Sequence, residues 1–495
     1  MDRREIHLIV VAAIGLAVAA PAALGLIRAT TGLERSDQVI DGVPTEILQP
    51  AGAAGPAPAV VIAHGYAGSS VLMEPLGRAF ARAGYVVALP DFTGHGRNPA
   101  PGPTPDALDG DLGSVVTWLA GQPSVDPGRI SLVGHSMGAG AVVRYAMSHP
   151  EQIRSTVAIS LPAAIEGTPP ANLLLLVGQF EQPSFRKAAQ AELAQAPPGA
   201  AASLVVIPWV EHLTIVWSQA AADAEIAWVG TAVGGPTGPA VLDPAWLWFL
   251  LLLLGGTLLA IPLARVLYGR QTRPAPLDAL PGWQSILTCL AAMVGAALVA
   301  RLTASLLDPY VPVAIAAYLG IFLLTAALIS AIIATWLRRR AWAMAVPDPT
   351  LRSTGATLLM TAYAVTLLVL SSRWTWADLD LLAGPRPWVA AVLSIVFLAY
   401  LWTDEALVAR VRPGLRLALV AINRVLLAGA LVGSVFLLGA PLILLLVVPV
   451  MLLLFVVLAA FGAIGAFRVR DRFAPALVQA VPLAIVIAAG FPITG

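Results

Sequence analysis

Charged residues are scarce in this sequence of 495 residues, at 12% against roughly 25% in soluble proteins. Hydrophobic residues make up 58% of the chain, so an ordinary soluble protein is excluded for at least part of it. The net charge of +1 gives no basis for expecting a nucleic-acid partner. The single cysteine, Cys289, excludes an intrachain disulfide, and its apolar neighbours favour a buried, inert thiol.

The apolar residues are concentrated in two parts of the chain. Near the start, residues 6–27 form an apolar run that predicts a signal anchor within residues 1–30. Small residues at 19–22 offer a cleavage site as an alternative, and either interpretation sends the next part of the chain across the membrane. Residues 245–495 contain about eight further runs long enough to span a bilayer. Their centres lie near Leu254, Ala292, Leu323, Ala362, Ile395, Leu426, Leu452 and Ile485.

The arginines are distributed unevenly over the predicted membrane crossings. Alternate crossings hold clusters, at Arg3/Arg4, Arg265/Arg270/Arg273, Arg338/Arg339/Arg340/Arg352, Arg410/Arg412/Arg416 and Arg468/Arg470/Arg472. The opposite crossings hold only scattered arginines, such as Arg301, Arg373 and Arg386. By the positive-inside rule the clustered ends are cytoplasmic, so the chain between the first and second spans is predicted on the outer side of the cell membrane.

Residues 36–232 have the composition of a soluble domain, and residues 233–244 form a Gly/Pro-rich linker. Short apolar runs alternate here with helical stretches, which predicts a parallel α/β sheet. One such run ends at Gly134-His135-Ser136-Met137-Gly138, and a helical pattern comes next. A G-x-S-x-G motif between a strand and a helix forms a nucleophile elbow, in which Ser136 would be exposed on a strained turn.

A serine nucleophile needs a base and an acid that orients the base. His212 comes after the last predicted strand and should leave the same sheet edge as Ser136, so we predict that it is the base. Glu181 comes after the preceding strand and is the predicted acid. Glu211 is an alternative acid, although its adjacency to His212 makes the geometry poor.

Residues from about 38 to 229 resemble an α/β-hydrolase, closest to the dienelactone hydrolase and serine-peptidase-like branches. The matching pieces are His64-Gly65 after a strand, Asp91-Phe92-Thr93-Gly94-His95-Gly96, Val125-Asp126-Pro127-Gly128-Arg129-Ile130 and the elbow itself. The order Ser136, Glu181, His212 is the one expected of that family. The resemblance implies that the backbone N–H groups of Tyr66 and Met137 form an oxyanion hole.

The expected architecture is therefore an α/β-hydrolase with a doubly wound, mostly parallel sheet, followed by an all-α polytopic transmembrane domain. Only about a dozen residues, 161–172, separate the two strands between which many relatives insert a lid, so no lid insertion is expected. The glutamate at position 181 departs from the aspartate of most relatives, and its extra methylene must be accommodated. His64, His95, Asp91 and Asp126 are interpreted as residues that hold their own turns.

The membrane half contains no histidine, no lysine and one glutamate, Glu405, so no metal or cofactor site is expected there or elsewhere. Asn423 and Arg424 lie deeper in an apolar run than its other polar residues. The favoured hypothesis is a multi-pass membrane serine hydrolase that cleaves a small-molecule or lipid-like ester, or less favourably an amide. The alternatives are an acyltransferase that uses the same residues, and a transporter or sensor whose outer domain is an inactive hydrolase scaffold.

Overall fold

The computed structural model describes residues 3–52, 55–269, 282–337, 351–373, 379, 383–408, 413–468 and 473–494. From Leu33 to Val233 the chain forms an eight-stranded sheet with helices on both faces. Long apolar helices precede and follow this domain. We refer to the two parts, after the expectations from the sequence, as the hydrolase half and the membrane half.

The sheet has the strand order β1-β2-β4-β3-β5-β6-β7-β8 and is parallel except at β2, which is antiparallel to both of its neighbours. Strands β6 and β7 are buried throughout and β3 is buried beyond its first residue, as expected when helices cover both faces of a parallel sheet. The strands are β1 (Leu33–Ile40), β2 (Val43–Pro50), β3 (Ala57–Ala63), β4 (Val86–Pro90), β5 (Val125–His135), β6 (Ser155–Ile159), β7 (Leu173–Gly178) and β8 (Ala202–Ile207).

Helices α2 and α6 pack on one face of the sheet, and α3, α4 and α5 pack on the other. The predicted doubly wound α/β architecture is thereby confirmed. Residues 160–172, between β6 and β7, contain no helix or strand, so no lid is inserted there. The helices are α2 (Ser70–Arg82), α3 (Pro105–Ala120), α4 (Met137–Ser148), α5 (Pro183–Ala194) and α6 (Gln219–Val233).

The register of the sheet aligns the carboxyl ends of its central strands. Gly134 near the end of β5 lies opposite Ala63, the last residue of β3, and opposite Ala158 of β6. The loops that leave these strand ends therefore start side by side. This edge is where ligands bind in open α/β sheets.

The membrane half comprises one helix before the hydrolase half and eight after it within the described ranges. They are α1 (Arg3–Arg28), α7 (Ala245–Tyr268), α8 (Gly282–Leu307), α9 (Ala316–Leu337), α10 (Leu351–Ser372), α11 (Arg386–Val408), α12 (Pro413–Leu438), α13 (Leu444–Arg468) and α14 (Phe473–Gly490). Eight of these are long and apolar enough to span a membrane, while α13 holds a shorter apolar stretch, Val448–Ile464. The predicted series of apolar helices after the hydrolase half is confirmed.

Helices α1 and α7 pack tightly against each other, so the chain enters and leaves the hydrolase half at neighbouring points. A Cβ at Gly25 would lie 2.6 Å from the indole of Trp248, and one at Gly255 would lie 2.7 Å from Ala19. Small residues thus let the two backbones approach closely, as in membrane helix pairs. Many of the arginines on which the predicted orientation rests, among them Arg338, lie outside the described residues.

Candidate active site

Ser136 occupies a strained turn between the last residue of β5 and the first residue of α4. Its φ of 54° and ψ of −113° are rarely adopted by a residue with a side chain. A Cβ at Gly134 would lie 2.3 Å from the carbonyl oxygen of Gly138, and one at Gly138 would lie 2.6 Å from that of Ala63. Glycine is therefore required at both positions, and the turn has the geometry that the motif predicts.

The structure brings Ser136, His212 and Glu181 together in a hydrogen-bonded row. Ser136 Oγ lies 3.1 Å from His212 Nε2, and His212 Nδ1 lies 2.7 Å from Glu181 Oε1. If the imidazole is neutral, its Nδ1–H donates to the carboxylate and its Nε2 accepts from the serine hydroxyl. This arrangement can remove a proton from Ser136 as the hydroxyl attacks an electrophile.

The extra methylene of Glu181 is accommodated by folding the side chain back onto the end of its own strand. Glu181 Oε2 accepts a 2.7 Å hydrogen bond from the backbone N–H of Gly178, the last residue of β7. A Cβ at Gly178 would lie 3.2 Å from Glu181 Cγ and 2.7 Å from the carbonyl oxygen of Val210. The side chain of Glu181 is fully buried. Its two oxygens are therefore divided between the strand end and His212.

Two contacts hold His212 in place. The ring of Phe185 stacks on the imidazole with centroids 4.5 Å apart. His135, next to the serine, lies with Nε2 2.8 Å from the carbonyl oxygen of His212, so its Nε2–H donates to that carbonyl. Burial is the main cause that lowers the pKa of His135 to about 3, and proximity to His212 lowers it further. His135 is thus neutral and fixes the backbone of the base.

The carboxylate of Glu211 binds the backbone of its own loop and not His212. It accepts hydrogen bonds from the backbone N–H groups of Leu213 and Thr214, at 3.1 Å and 2.9 Å. These bonds fix the start of the short 3₁₀ turn Thr214–Trp217. Glu181, and not Glu211, is the carboxylate bonded to His212.

The two predicted oxyanion amides belong to the start of α4 and to the loop after β3. Met137 is the first residue of α4, where backbone N–H groups have no partner within the helix. Tyr66 comes after Gly65, whose Cβ would lie 3.2 Å from Ser136 Cβ. Neither amide donates a hydrogen bond to another group in the described part of the chain, so both are available to a ligand.

His95 is bonded within its own loop, whereas His64 is bonded both to its own loop and to the loop after β4. His64 donates Nδ1–H to the carbonyl oxygen of Gly65 at 2.8 Å and accepts the backbone N–H of Phe92 at Nε2. His95 Nδ1 donates to the carbonyl oxygen of Thr93 at 2.9 Å. Burial lowers the pKa of both, that of His95 to about 3, so both rings are neutral.

The two aspartates interpreted as structural bind backbone N–H groups and arginines: Asp126 within its own turn, and Asp91 also at the start of α2. Asp91 accepts the backbone N–H of Ser70 at 2.7 Å and pairs with Arg97. Asp126 accepts the backbone N–H of Gly128 and pairs with Arg129 in the turn at the start of β5. Within the described ranges no three His, Cys, Asp or Glu side chains converge to hold a metal ion.

The sequence interpretation missed the contacts that hold the base. Phe185 gave no signal, because nothing in its neighbours distinguishes it from an ordinary helix residue. His135 is part of the elbow motif, but the motif does not predict its bond to the His212 carbonyl, which joins segments 77 residues apart. An exposed aromatic pair was also missed: Phe180 and Trp209 contact edge-on beside Glu181 and His212, with 58% and 80% of their areas exposed.

Residues 58–197 match the family model of the α/β hydrolase fold. The hydrolase half is an α/β-hydrolase domain. An uncharacterized protein of Mycobacterium tuberculosis is 34% identical over 129 residues, which are 26% of this chain and 42% of that protein. A protein of Caballeronia sordidicola named epoxide hydrolase is 29% identical over 142 residues, 28% of this chain and 40% of that protein.

The matched segment of this chain therefore spans less than half the length of those two relatives. Among solved structures, that of a protein described as a putative dienelactone hydrolase from Klebsiella pneumoniae aligns with 40% of this chain and 98% of its own. The two are 21% identical over the alignment, with a TM-score of 0.33. None of these matches covers more than 40% of this chain.

Proposed function

We propose that the protein is a membrane-anchored serine hydrolase that cleaves a carboxylic ester through an acyl-enzyme. The observation that carries the proposal is the hydrogen-bonded row of Ser136, His212 and Glu181, with distances of 3.1 Å and 2.7 Å. The strained turn at Ser136 supports it, because strain of this kind is retained where it has a use.

The proposed reaction has two halves. Ser136 Oγ attacks the ester carbonyl as His212 Nε2 takes the hydroxyl proton, and the buried carboxylate of Glu181 stabilises the imidazolium that forms. The N–H groups of Tyr66 and Met137 bind the oxyanion, and each lowers the barrier by about 3–4 kcal/mol. His212 then gives its proton to the leaving alcohol, and a water molecule repeats the sequence to release the acid from Ser136.

Epoxide opening is disfavoured on chemical grounds, whereas amide cleavage and acyl transfer would use the same residues as ester cleavage. Attack of a serine oxygen on an epoxide would form an ether that water does not readily cleave, so the name of the Caballeronia relative does not suit Ser136 as nucleophile. Amide cleavage and acyl transfer to a non-water acceptor need the same three side chains. An inactive scaffold in a transporter or sensor would have no need for the row of hydrogen bonds around His212.

The experiment compares ester turnover and fluorophosphonate labelling in the wild-type chain and in Ser136→Ala and His212→Ala. Both substitutions should abolish turnover of a short-chain nitrophenyl ester, and Ser136→Ala should also abolish labelling. The controls are Ser148→Ala and His149→Ala, which change a serine and a histidine at the far end of α4. Undiminished turnover in Ser136→Ala would refute the proposal.

The aromatic pair Phe180 and Trp209 supports an amphiphilic, lipid-like substrate. These side chains lie on the loops that carry Glu181 and His212 and expose large apolar areas beside the site. Trp209 is held with a φ of 63°, and its backbone N–H donates to Gln179 Oε1 at 3.1 Å. The backbone of Trp209 is thus strained while its indole is exposed. Such strain is expected where the exposed ring has a function.

Replacing the indole tests the substrate class. Trp209→Ala should lower kcat/KM for a long-chain acyl ester about tenfold relative to a short-chain one, because contact with the indole contributes roughly 1.5 kcal/mol. Val39→Ala on β1, at the opposite edge of the sheet and 74% exposed, is the control. Equal effects on both esters would exclude Trp209 as a contact for the acyl chain.

We further propose that the hydrolase half lies on the outer face of the cell membrane, because the arginine clusters mark the opposite side as cytoplasmic. A chain with Cys289→Ala and Glu151→Cys would carry one exposed thiol on the hydrolase half. A membrane-impermeant maleimide should label this thiol in intact cells. Labelling only after lysis would place the domain on the other side.

A further inference from the structure

The membrane half holds a loop of the hydrolase half through a fully buried arginine. Arg386 is the first residue of α11, and 0% of its surface is exposed. Its guanidinium donates to the carbonyl oxygens of Gly96 and, at 3.3 Å, Gly94. Both glycines lie in the loop between β4 and α3, residues 91–104. These bonds join the first turn of α11 to the loop of the hydrolase half.

Ile493, which comes after α14, also binds this loop. The backbone N–H of Ile493 donates to the carbonyl oxygen of Gly94 at 2.8 Å, and the N–H of Gly102 donates to that of Ile493 at 3.3 Å. Gly94 has a φ of 79°, and a Cβ there would lie 2.8 Å from the Ile493 carbonyl oxygen. The approach is therefore close enough to require glycine.

The held loop in turn braces the segment that carries one oxyanion amide. This oxyanion segment, residues 64–69, joins β3 to α2. The N–H of Phe92 donates to His64 Nε2 at 3.2 Å, and Asp91 accepts the N–H of Ser70 at 2.7 Å. His95, between the two glycines bound by Arg386, contacts the ring of Tyr66 edge-on at 5.5 Å.

The oxyanion segment also touches the membrane half directly. Ala67, next to Tyr66, packs against the apolar core formed by the membrane helices. Its φ is 60°, a conformation that an alanine adopts only when its surroundings impose it. The membrane half thus contacts the oxyanion segment directly at Ala67 and indirectly through residues 91–96.

We propose that Arg386 is a positioning residue for the reaction: by fixing residues 91–96 it sets the place of the Tyr66 amide beside Ser136. The inference rests on the proposed function, since it concerns the same oxyanion hole. It makes the membrane half a part of the catalytic apparatus and not only an anchor. A displacement of the Tyr66 amide by a fraction of an ångström weakens a bond that forms only as the oxyanion develops.

The test uses the full-length protein in lipid nanodiscs, with Arg386→Met, Arg386→Lys and Arg301→Gln. Arg301 is the control, because it is an exposed arginine on α8 that donates to Leu438 within the membrane half. Arg386→Met should lower kcat for a short-chain ester at least about tenfold with KM changed less than about threefold. Arg386→Lys, which keeps the charge, should recover part of kcat, and Arg301→Gln should behave as the wild type.

Active-site titration with a fluorophosphonate separates positioning from loss of folded protein. In Arg386→Met the fraction of chains finally labelled should equal that of the wild type, while the labelling rate falls in parallel with kcat. A smaller labelled fraction that reacts at the wild-type rate would mean that Arg386 only maintains the fold, and a wild-type rate and fraction would also overturn the inference. If the wild-type chain itself is neither labelled nor active, the proposed function fails instead.

Discussion

The hydrolase half and the membrane half bury their polar side chains in different ways. In the hydrolase half, Ser136, Glu181 and His212 come from three different strand ends and converge on one edge, where 17% of the imidazole surface stays exposed. In the membrane half, Asp404 of α11 and Arg424 of α12 pair at 2.9 Å, with 4% and 6% of their side chains exposed.

The difference separates a reacting site from a structural contact. Arg424 is enclosed by its carboxylate partner and by the ring of Phe455, whose centroid lies 4.7 Å from the guanidinium carbon. Asn423 donates to the other oxygen of Asp404 at 2.6 Å. Such a closed group joins neighbouring helices but leaves no direction for a substrate to approach. His212, in contrast, presents a nitrogen to Ser136, which is half-buried at the carboxyl end of β5.

The largest expected effect on turnover comes from removing the acid, Glu181, in the hydrolase half. Glu181→Gln should lower kcat on the order of 10⁴-fold, because an amide cannot stabilise the imidazolium of His212. Glu181→Asp should be intermediate, since the shorter side chain cannot reach both Gly178 and the imidazole. Steady-state kinetics measures both, with Glu211→Gln, expected within about tenfold of the wild type, as the control. Equal losses in Glu181→Gln and Glu211→Gln would contradict the assignment of the acid.

The corresponding change in the membrane half should affect stability and not turnover. Arg424→Met leaves Asp404 buried without its cation, which should cost about 3–5 kcal/mol of unfolding free energy. The double variant Asp404→Leu with Arg424→Met should recover part of that loss. Thermal unfolding in detergent measures the effect, and turnover per folded chain should stay at the wild-type level. Loss of turnover in a chain that remains folded would show that the pair Asp404–Arg424 is not only a structural contact.

A smaller effect concerns acid stability of the hydrolase half. His95 and His135 are neutral when folded, with pKa values lowered to about 3 from 6.5 by burial. Below pH 6.5 the unfolded chain binds protons that the folded chain does not, so stability falls as pH decreases from about 6.5 towards 3. At pH 5 each histidine should cost about 2 kcal/mol.

The free energy of unfolding, measured by denaturant titration at pH values between 7.5 and 5, tracks this loss. His95→Asn keeps a donor for the Thr93 carbonyl and removes one titrating ring, so the decline towards pH 5 should become shallower. An unchanged pH slope would show that His95 does not titrate on unfolding in this range.

The fold of the hydrolase half could be predicted because its signals are local. Alternating apolar runs give the strands, and glycines at 134 and 138 are needed for the turn whatever surrounds it. The hairpin β1–β2 was not resolved as two strands, because β1 is exposed along most of its length and lacks an apolar pattern. The series of membrane helices was predicted from length and hydropathy, which need no tertiary information.

A site residue could be predicted only if it lies in a recognisable motif or directly after a predicted strand. Ser136 has the elbow, and Glu181 and His212 each come after a strand, so all three could be placed on one edge. The contacts of Arg386 could not be predicted, because they join residues about 290 positions apart through backbone carbonyls that any residue has. The only signal was an arginine on the side of the membrane where arginines are few.

The most direct test of the account is mass-spectrometric mapping of the adduct formed by a fluorophosphonate on the full-length protein in lipid. The account predicts one adduct per chain, on the peptide that contains Ser136, and its absence in His212→Ala at short reaction times because the hydroxyl then lacks its base. An adduct on a different residue, or ester turnover that continues with Ser136 unmodified, would contradict it.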